Sequence, residues 1–247
     1  MGISKGDSTV AQADKARRDQ LKQFQARQAF HAHQKSRTKK DQWVSILAAV
    51  AAVAVTSLGV WAHGTIGPGK PQVVADPSVS ENRQWSGELA FAETSLDITL
   101  DGAQAPQAVA NFVDLNSRDY FDDSSCHRVT TEGLFVVQCG DPLGVGLGNP
   151  GYTFGPLENT PEDGVYPAGT LAMARAANDA SSMGSQFFIV YQDSEIPDDA
   201  VGGYTVFGQV TSGLEDFIER YVDPGTADGS TDGQPAVPVF IESITIR

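Results

Sequence analysis

Leu96, Ile98 and Leu100 alternate with Asp97 and Thr99, the two-residue period of a strand with one buried and one wet face, and the turn-forming pair Asp101 and Gly102 ends it. A different period follows. Pro106 suits the first turn of a helix, where its missing N–H has no partner to lose, and Val109, Phe112 and Val113 carry one apolar face to about Asn116. A second helix is better marked: Leu214, Phe217, Ile218 and Tyr221 stand at i, i+3, i+4 and i+7, with Pro224 and Gly225 closing it. The segments GLFVVQC, SQFFIVY, GYTVFGQV and SITIR are short, β-branched or aromatic, and bounded by Gly, Pro or Asp. Many short strands with two helices far apart predict an all-β-dominated domain, a closed antiparallel barrel capped by helices, rather than a parallel βαβ sheet.

One run fits neither period. Trp43 to Ala62 contains twenty residues without a charge, and only Ser45, Thr56 and Ser57 interrupt it. As a helix it reaches about 30 Å, the thickness of a bilayer's hydrocarbon core, and its terminal Trp43 and Trp61 suit the two interfaces. A cleaved signal peptide is the competing reading, with Val60, Trp61 and Ala62 as its cleavage site. Such peptides have short basic regions and apolar stretches of roughly 7 to 15 residues, whereas here both are longer. A single transmembrane helix is the expectation.

Charge sets its direction. Residues 1–42 carry ten Lys and Arg against four Asp, a net +6, while the remainder carries 7 basic against 27 acidic residues, a net −20, together giving the chain's −14. The positive-inside rule places the tail 1–42 in the cytoplasm and everything after the helix outside a bacterial cytoplasmic membrane. The acidity of the larger part argues against nucleic acid as a ligand. Residues 63–84 mix Gly, Pro and polar residues without periodicity and read as a linker. Residues 85–247 have the length of one compact domain.

Three blocks in that domain carry a resemblance: YFDDSSCHRVTTEGLFVVQCGDPLGVGLGNPGYTF (120–154), GTLAMARAANDASSMGSQFFIVY (169–191) and YTVFGQV (204–210). An HR pair, a QxGDP turn, a Gly-rich loop, an LAMA strand, a GSQFFI strand and a VFG strand succeed one another over about ninety residues. In order and spacing they resemble the cyclophilin-type peptidyl-prolyl cis/trans isomerases, here a bacterial, actinobacterial-like, membrane-anchored member. The resemblance implies an eight-stranded antiparallel closed barrel with a helix over each open end and a site on the outer barrel face. It also implies proline-containing polypeptides as substrates and no cofactor or metal.

Carried over by position, Arg128 is the catalytic arginine of the HR pair. Phe135 and Val136 fall on the floor of the proline pocket, Gln138 and Gln186 near the substrate backbone, and Gly146 in the Gly-rich loop. Ala174 and Arg175 match the edge that pairs with bound peptide, Phe188 and Ile196 match pocket walls, and Tyr204 replaces a pocket histidine. His127 reads as a structural histidine. Two extra residues fall between Arg128 and Gln138 and two more before Gly184, relative to the best-known eukaryotic members. Glu195 stands where a Trp contributes to cyclosporin binding, so weak or no binding of that inhibitor is expected.

The chemistry asks for no nucleophile. Resonance gives an X–Pro bond a rotation barrier of roughly 18–20 kcal/mol, and a donor aimed at the prolyl nitrogen weakens that resonance as the amide twists. Arg128 suits the task because it stays charged and presents fixed donors. The expected role is assisting the folding of secreted or cell-envelope proteins. A groove that holds proline segments as a chaperone or scaffold, without turnover, is the alternative. Cys126 and Cys139 lie on the two arms of one predicted hairpin, where an oxidising exterior favours a disulfide and two buried free thiols are the other reading.

Overall fold

Buried and more exposed side chains alternate along Ser95–Asp101 and the first half of Val239–Ile246, whereas Thr170–Met173 and Phe187–Val190 are buried on both faces. The computed structural model describes residues 73–247, which fall within a single unit, Pro71–Arg247. In chain order the elements are β1 (Gln84–Phe91), β2 (Ser95–Asp101), α1 (Pro106–Asn116), β3 (Ser124–Cys126), β4 (Arg128–Thr130) and β5 (Val136–Cys139). They continue with β6 (Val165–Tyr166), β7 (Thr170–Met173), β8 (Phe187–Val190), β9 (Ser194–Glu195), β10 (Val206–Ser212), α2 (Leu214–Phe217), β11 (Asp232–Gly233) and β12 (Val239–Ile246). No helix among the described residues is long and apolar enough to cross a membrane. The predicted tail (1–42), the predicted span (43–62) and residues 63–72 of the predicted linker lie outside the described part.

Both predicted helices form where the apolar periodicity places them. Pro106 opens α1, which buries Ala108, Val109, Phe112 and Leu115. Phe112 is the hub of that contact, its ring 4.9 Å from Phe121, 5.4 Å from Phe187 and 5.2 Å from Phe207. α2 continues through a wider turn over Ile218–Val222, where Asp223 N–H donates to Ile218 O. Its Phe217 and Tyr221 rings close on Phe91 at 4.9 and 6.0 Å.

The barrel departs from expectation. Instead of eight strands in a closed ring, ten strands run in the order β11-β4-β5-β8-β7-β10-β2-β1-β12-β3, and β6 and β9 form a separate ribbon. The sheet curls around its core, but its ladder has ends. β3 and β4 are halves of one extended segment broken at His127, and each half takes a different neighbour: β3 pairs with β12, β4 with β5. Across that seam run a bridge between Ser125 and Asp141 and the His127 N–H bond to Gln138 O, 3.0 Å. Cys126 and Cys139 are joined there in a disulfide, both buried.

The predicted linker also needs correction, because residues 73–84 belong to the domain. A 3-10 turn over Pro77–Ser80 is capped by Asp76, and Ser80 is fully buried. Trp85 Nε1–H donates to Ser80 O at 2.8 Å, Gly102 N–H to Arg83 O at 2.9 Å, and the Gln107 side chain to Ala75 O at 2.9 Å. Proline and polar residues concealed this docking, which rests on backbone carbonyls rather than on an apolar stripe.

Candidate active site

Five neighbouring strands and the register between them assemble the site. Arg128 on β4 lies opposite Gln138 on β5, Gln138 opposite Phe188 on β8, Phe188 opposite Ala172 on β7, and Ala172 opposite Val206 on β10. Directly paired residues point to the same face. That row is therefore one stripe on the outer surface of the sheet. The residues between them (Val129, Val137, Ile189, Leu171, Phe207) point the other way and fill the core. The outer stripe has its own small apolar cluster: Val136, Tyr166, Ala172, Phe188 and Val190, with Leu134, Ile196 and Tyr204 packed against it.

A cavity of about 100 Å³ opens on this stripe, lined by Arg128, Leu134, Val136, Gln138, Ala174, Arg175, Phe188, Ile196 and Tyr204. Beside it runs a groove of about 320 Å³, which shares Gln138, Ala174 and Arg175 and adds Gly146, Leu147, Gly184 and Gln186. Of the residues expected from sequence, the structure thus brings together Arg128, Val136, Gln138, Gly146, Ala174, Arg175, Gln186, Phe188, Ile196 and Tyr204.

Phe135 is the exception. It packs with the interior cluster, its ring 5.9 Å from that of Tyr191, and the cavity wall is Leu134 instead. Strand parity explains the exchange. Gln138 faces outward, so Val136 and Leu134 do as well, and Phe135 faces in. Alternation along the strand points Phe135 inward, against the pocket-floor position that the family pattern, counted back from Gln138, assigns it.

A hydrogen-bonded relay crosses the site. Arg128 Nη1–H donates to Gln138 Oε1 at 3.2 Å, Gln138 Nε2 to Gln186 Oε1 at 2.8 Å, and Gln186 Nε2 to Gly148 O at 2.8 Å. The other side of the Arg128 guanidinium is bound by Asp232, Nε to Oδ1 at 2.7 Å and Nη2 to Oδ2 at 2.8 Å. This hydrogen-bonded carboxylate raises the pKa of Arg128, with burial acting against it. Nothing in the sequence pointed to Asp232, which reaches Arg128 from a Gly-, Ser- and Asp-rich loop 104 residues further along the chain.

Arg175 divides into two roles. Its side chain is only 1% exposed and bonds Asp199 at 2.7 Å and Gly203 O at 2.9 Å, while its guanidinium lies 4.6 Å over the Tyr204 ring. That side chain is a brace, clamping loop 199–204 so that Tyr204 meets Phe188 edge-on at 5.5 Å. Its main-chain N–H and C=O make no hydrogen bond among the described residues, which leaves them open to an extended ligand. Ala174 N–H is already donated to Gln186 O, 2.9 Å.

The Gly-rich loop is tied to a buried carboxylate. Asp141, fully buried, accepts the N–H groups of Leu143 at 2.8 Å, Val145 at 2.9 Å and Leu147 at 3.1 Å, and that of Gly146 as well. Burial acts to raise its pKa, yet the backbone donors outweigh it and hold the carboxyl below the usual carboxylate range. At Gly148 a Cβ would stand 1.9 Å from Asp141 Oδ1, so the turn requires glycine there. Burial holds the neighbouring His127 imidazole below its ordinary range, with the Asp141 charge acting against it.

The fold, the outer-face cavity and its arginine define a class, and residues 88–246 match the family model "Cyclophilin type peptidyl-prolyl cis-trans isomerase/CLD". The chain belongs to the cyclophilin-type peptidyl-prolyl cis-trans isomerase family. It is 36% identical over 172 residues to a "Probable peptidyl-prolyl cis-trans isomerase B" of Mycobacterium leprae, covering 65% of this chain and 56% of that protein. To the "Peptidyl-prolyl cis-trans isomerase B" of Bacillus subtilis it is 45% identical over 112 residues, covering 45% of this chain and 72% of the relative. The chain spans a little over half the length of its mycobacterial isomerase B relatives, 56% and 58%. A crystal structure of a Cryptosporidium parvum cyclophilin type isomerase in the presence of the dipeptide Ala-Pro shares the fold. Its TM-score is 0.53 at 29% identity, covering 66% of this chain and 98% of that one.

The Asp141 cradle makes a pH prediction. A carboxylate with a depressed native pKa stabilises the fold above its unfolded pKa of about 3.9, and that contribution disappears as pH falls through the native value. Asp141→Asn keeps the shape and removes the titration. Its stability, measured by denaturant unfolding, is expected to be lower than wild type near neutrality and to fall less steeply below about pH 4. Parallel acid limbs in the two proteins would contradict this account of the loop.

Proposed function

We propose that the chain is a peptidyl-prolyl cis/trans isomerase that rotates X–Pro bonds with the help of Arg128 and without a covalent intermediate. One observation carries this reading: the guanidinium lines the edge of a small apolar cavity, its Nε/Nη2 edge and one Nη1–H engaged by protein groups. Of the five N–H groups of an arginine, one on Nη1 and one on Nη2 have no partner among the described residues. A cavity of about 100 Å³ walled by Leu134, Val136 and Phe188 suits a small saturated ring. The relative crystallised with Ala-Pro supports a proline-containing ligand.

In this proposal the proline ring seats against Val136, Leu134 and Phe188, with Ile196 and Tyr204 completing the wall. The chain beside the proline runs along the groove, held by the open main-chain groups of Arg175 and by the Gln138–Gln186 pair. One side of the amide is then fixed while the other turns. Donors at Arg128 bind the prolyl nitrogen more strongly as it becomes pyramidal, so the interaction is greater in the twisted state than in either planar one, as catalysis requires. Glu195, exposed on β9, is consistent with weak or absent cyclosporin binding.

Arg128→Ala is expected to lower kcat/KM on a proline-containing peptide by at least about 100-fold, or roughly 2.7 kcal/mol of transition-state stabilisation, while peptide affinity falls far less. Arg128→Lys recovers little, since a point charge on a flexible stem does not reproduce the planar fork. A folded Arg128→Ala variant with near-normal turnover would rule out the mechanism.

For location, we propose a single-pass protein of the bacterial cytoplasmic membrane, tail inside and isomerase domain outside, acting on secreted or cell-envelope clients. The support is the uncharged run 43–62 behind a basic tail. Protease added to intact spheroplasts is expected to digest the domain and spare the tail; a protected domain reverses the topology.

A further inference from the structure

The arginine at the centre of the site is held by a carboxylate that the fold delivers with some care. β11 pairs antiparallel with β4, Asp232 opposite Thr130 and Gly233 opposite Val129. Asp232 is therefore the diagonal neighbour of Arg128 on the same face, within reach for long side chains. The loop carrying it is braced. Thr131 N–H donates to Thr231 O at 2.9 Å, Ala227 N–H to Gln234 O at 2.8 Å and Ala236 N–H to Gly225 O at 2.8 Å. Ser230 Oγ donates to the carbonyl of Asp232 itself at 3.0 Å.

Stability is a poor explanation for this pair. The two side chains are 38% and 55% exposed, and ion pairs that open to water contribute little to folding. Orientation is a better one. A free arginine side chain samples many rotamers, whereas two parallel bonds to both oxygens of one carboxylate fix the plane of the guanidinium as well as its position. They occupy the Nε/Nη2 edge, Gln138 takes one Nη1–H, and the remaining N–H groups lie at the Nη1/Nη2 tip. The carboxylate also draws on the positive charge that makes the guanidinium a strong donor. In water-exposed surroundings that Coulombic loss is screened, while the geometric restraint is not, so orientation wins. The Arg128 bonds hold the Asp232 carboxyl below the ordinary carboxylate range, which keeps the clamp charged through neutral and mildly acidic pH.

We propose that Asp232 is a positioning residue for isomerisation, fixing the plane of Arg128 so that its free Nη1 and Nη2 donors face the cavity. This rests on the isomerase reading above. The test is steady-state kinetics on the full chain as wild type, Asp232→Ala, Arg128→Ala and the double variant, with folding checked by thermal melts. Asp232→Ala is expected to lower kcat about tenfold, equivalent to about 1.4 kcal/mol, with KM within about twofold. In the Arg128→Ala background the same change is expected to do nothing further, because the residue it positions is gone. Should Asp232→Ala fail to fold, the isosteric Asp232→Asn, which keeps only one acceptor oxygen, takes its place with a several-fold loss expected. Wild-type kcat in the Asp232 variant overturns the proposal, as does a loss that recurs undiminished on top of Arg128→Ala. A wild-type chain without isomerase activity removes the isomerase reading and this proposal together, whereas an active wild type with an unaffected Asp232 variant removes this proposal alone.

Discussion

Side chains on a strand alternate between its two faces, and in a sheet curled around a core one of those faces must be apolar and filled. Everything at the site depends on that constraint. Val129, Val137, Ile189, Leu171 and Phe207 are committed to the interior, and the same register commits Arg128, Gln138, Phe188 and Ala172 to a row on the outside. Slippage of β5 by one residue would bury Gln138 and expose Val137. Core packing therefore does more than stabilise the domain, because it sets the spacing of an arginine, an amide and an aromatic wall that share no sequence neighbourhood.

Rows on strands are rigid; the loops around them need other restraints, and each has a polar one. The Gly-rich loop hangs on the buried Asp141 carboxylate, loop 199–204 on the buried Arg175 guanidinium, and the ribbon carrying Asp232 on backbone pairing with β4. The Cys126–Cys139 disulfide ties the seam next to the Arg128–Gln138 pair. A buried charge without partners is costly, so a loop that satisfies one acquires a defined shape without a core of its own. In the proposed reaction a proline-containing chain is gripped on one side and turns on the other, and a site of this kind offers a fixed wall with open main-chain groups along it.

Much of this was legible in the sequence because it is local or periodic. α1 declares itself through Pro106 at its first turn and the start of α2 through its i, i+3, i+4, i+7 spacing with Pro224 and Gly225 beyond it, and β2 through its alternation. The family blocks point to Arg128, Val136, Gln138, Ala174, Phe188 and Tyr204, which the fold gathers around one cavity. What escaped is non-local. Asp232 is a single Asp in a loop of turn residues, and only strand pairing 104 residues away gives it meaning. Residues 73–84 read as linker since their docking uses backbone carbonyls. The open seam at His127 depends on one short segment dividing its hydrogen bonds between two neighbours, which no hydropathy pattern encodes. Phe135 differs from these: parity along β5 pointed inward, and the stronger-looking analogy pointed outward.

On the proposed reading this outer-face row catalyses rotation rather than merely holding proline segments. Two-dimensional exchange NMR on a proline-containing peptide, with the full chain present at substoichiometric concentration, tests it without a coupled protease. Unaided X–Pro bonds exchange over roughly 10–100 s at 25 °C, too slowly to give cross-peaks between cis and trans signals in a sub-second mixing time. With the protein added, the account predicts those cross-peaks. Peptide-induced shifts at Phe188 and Arg175 without any cis/trans cross-peak would contradict it and leave a proline-binding groove in its place.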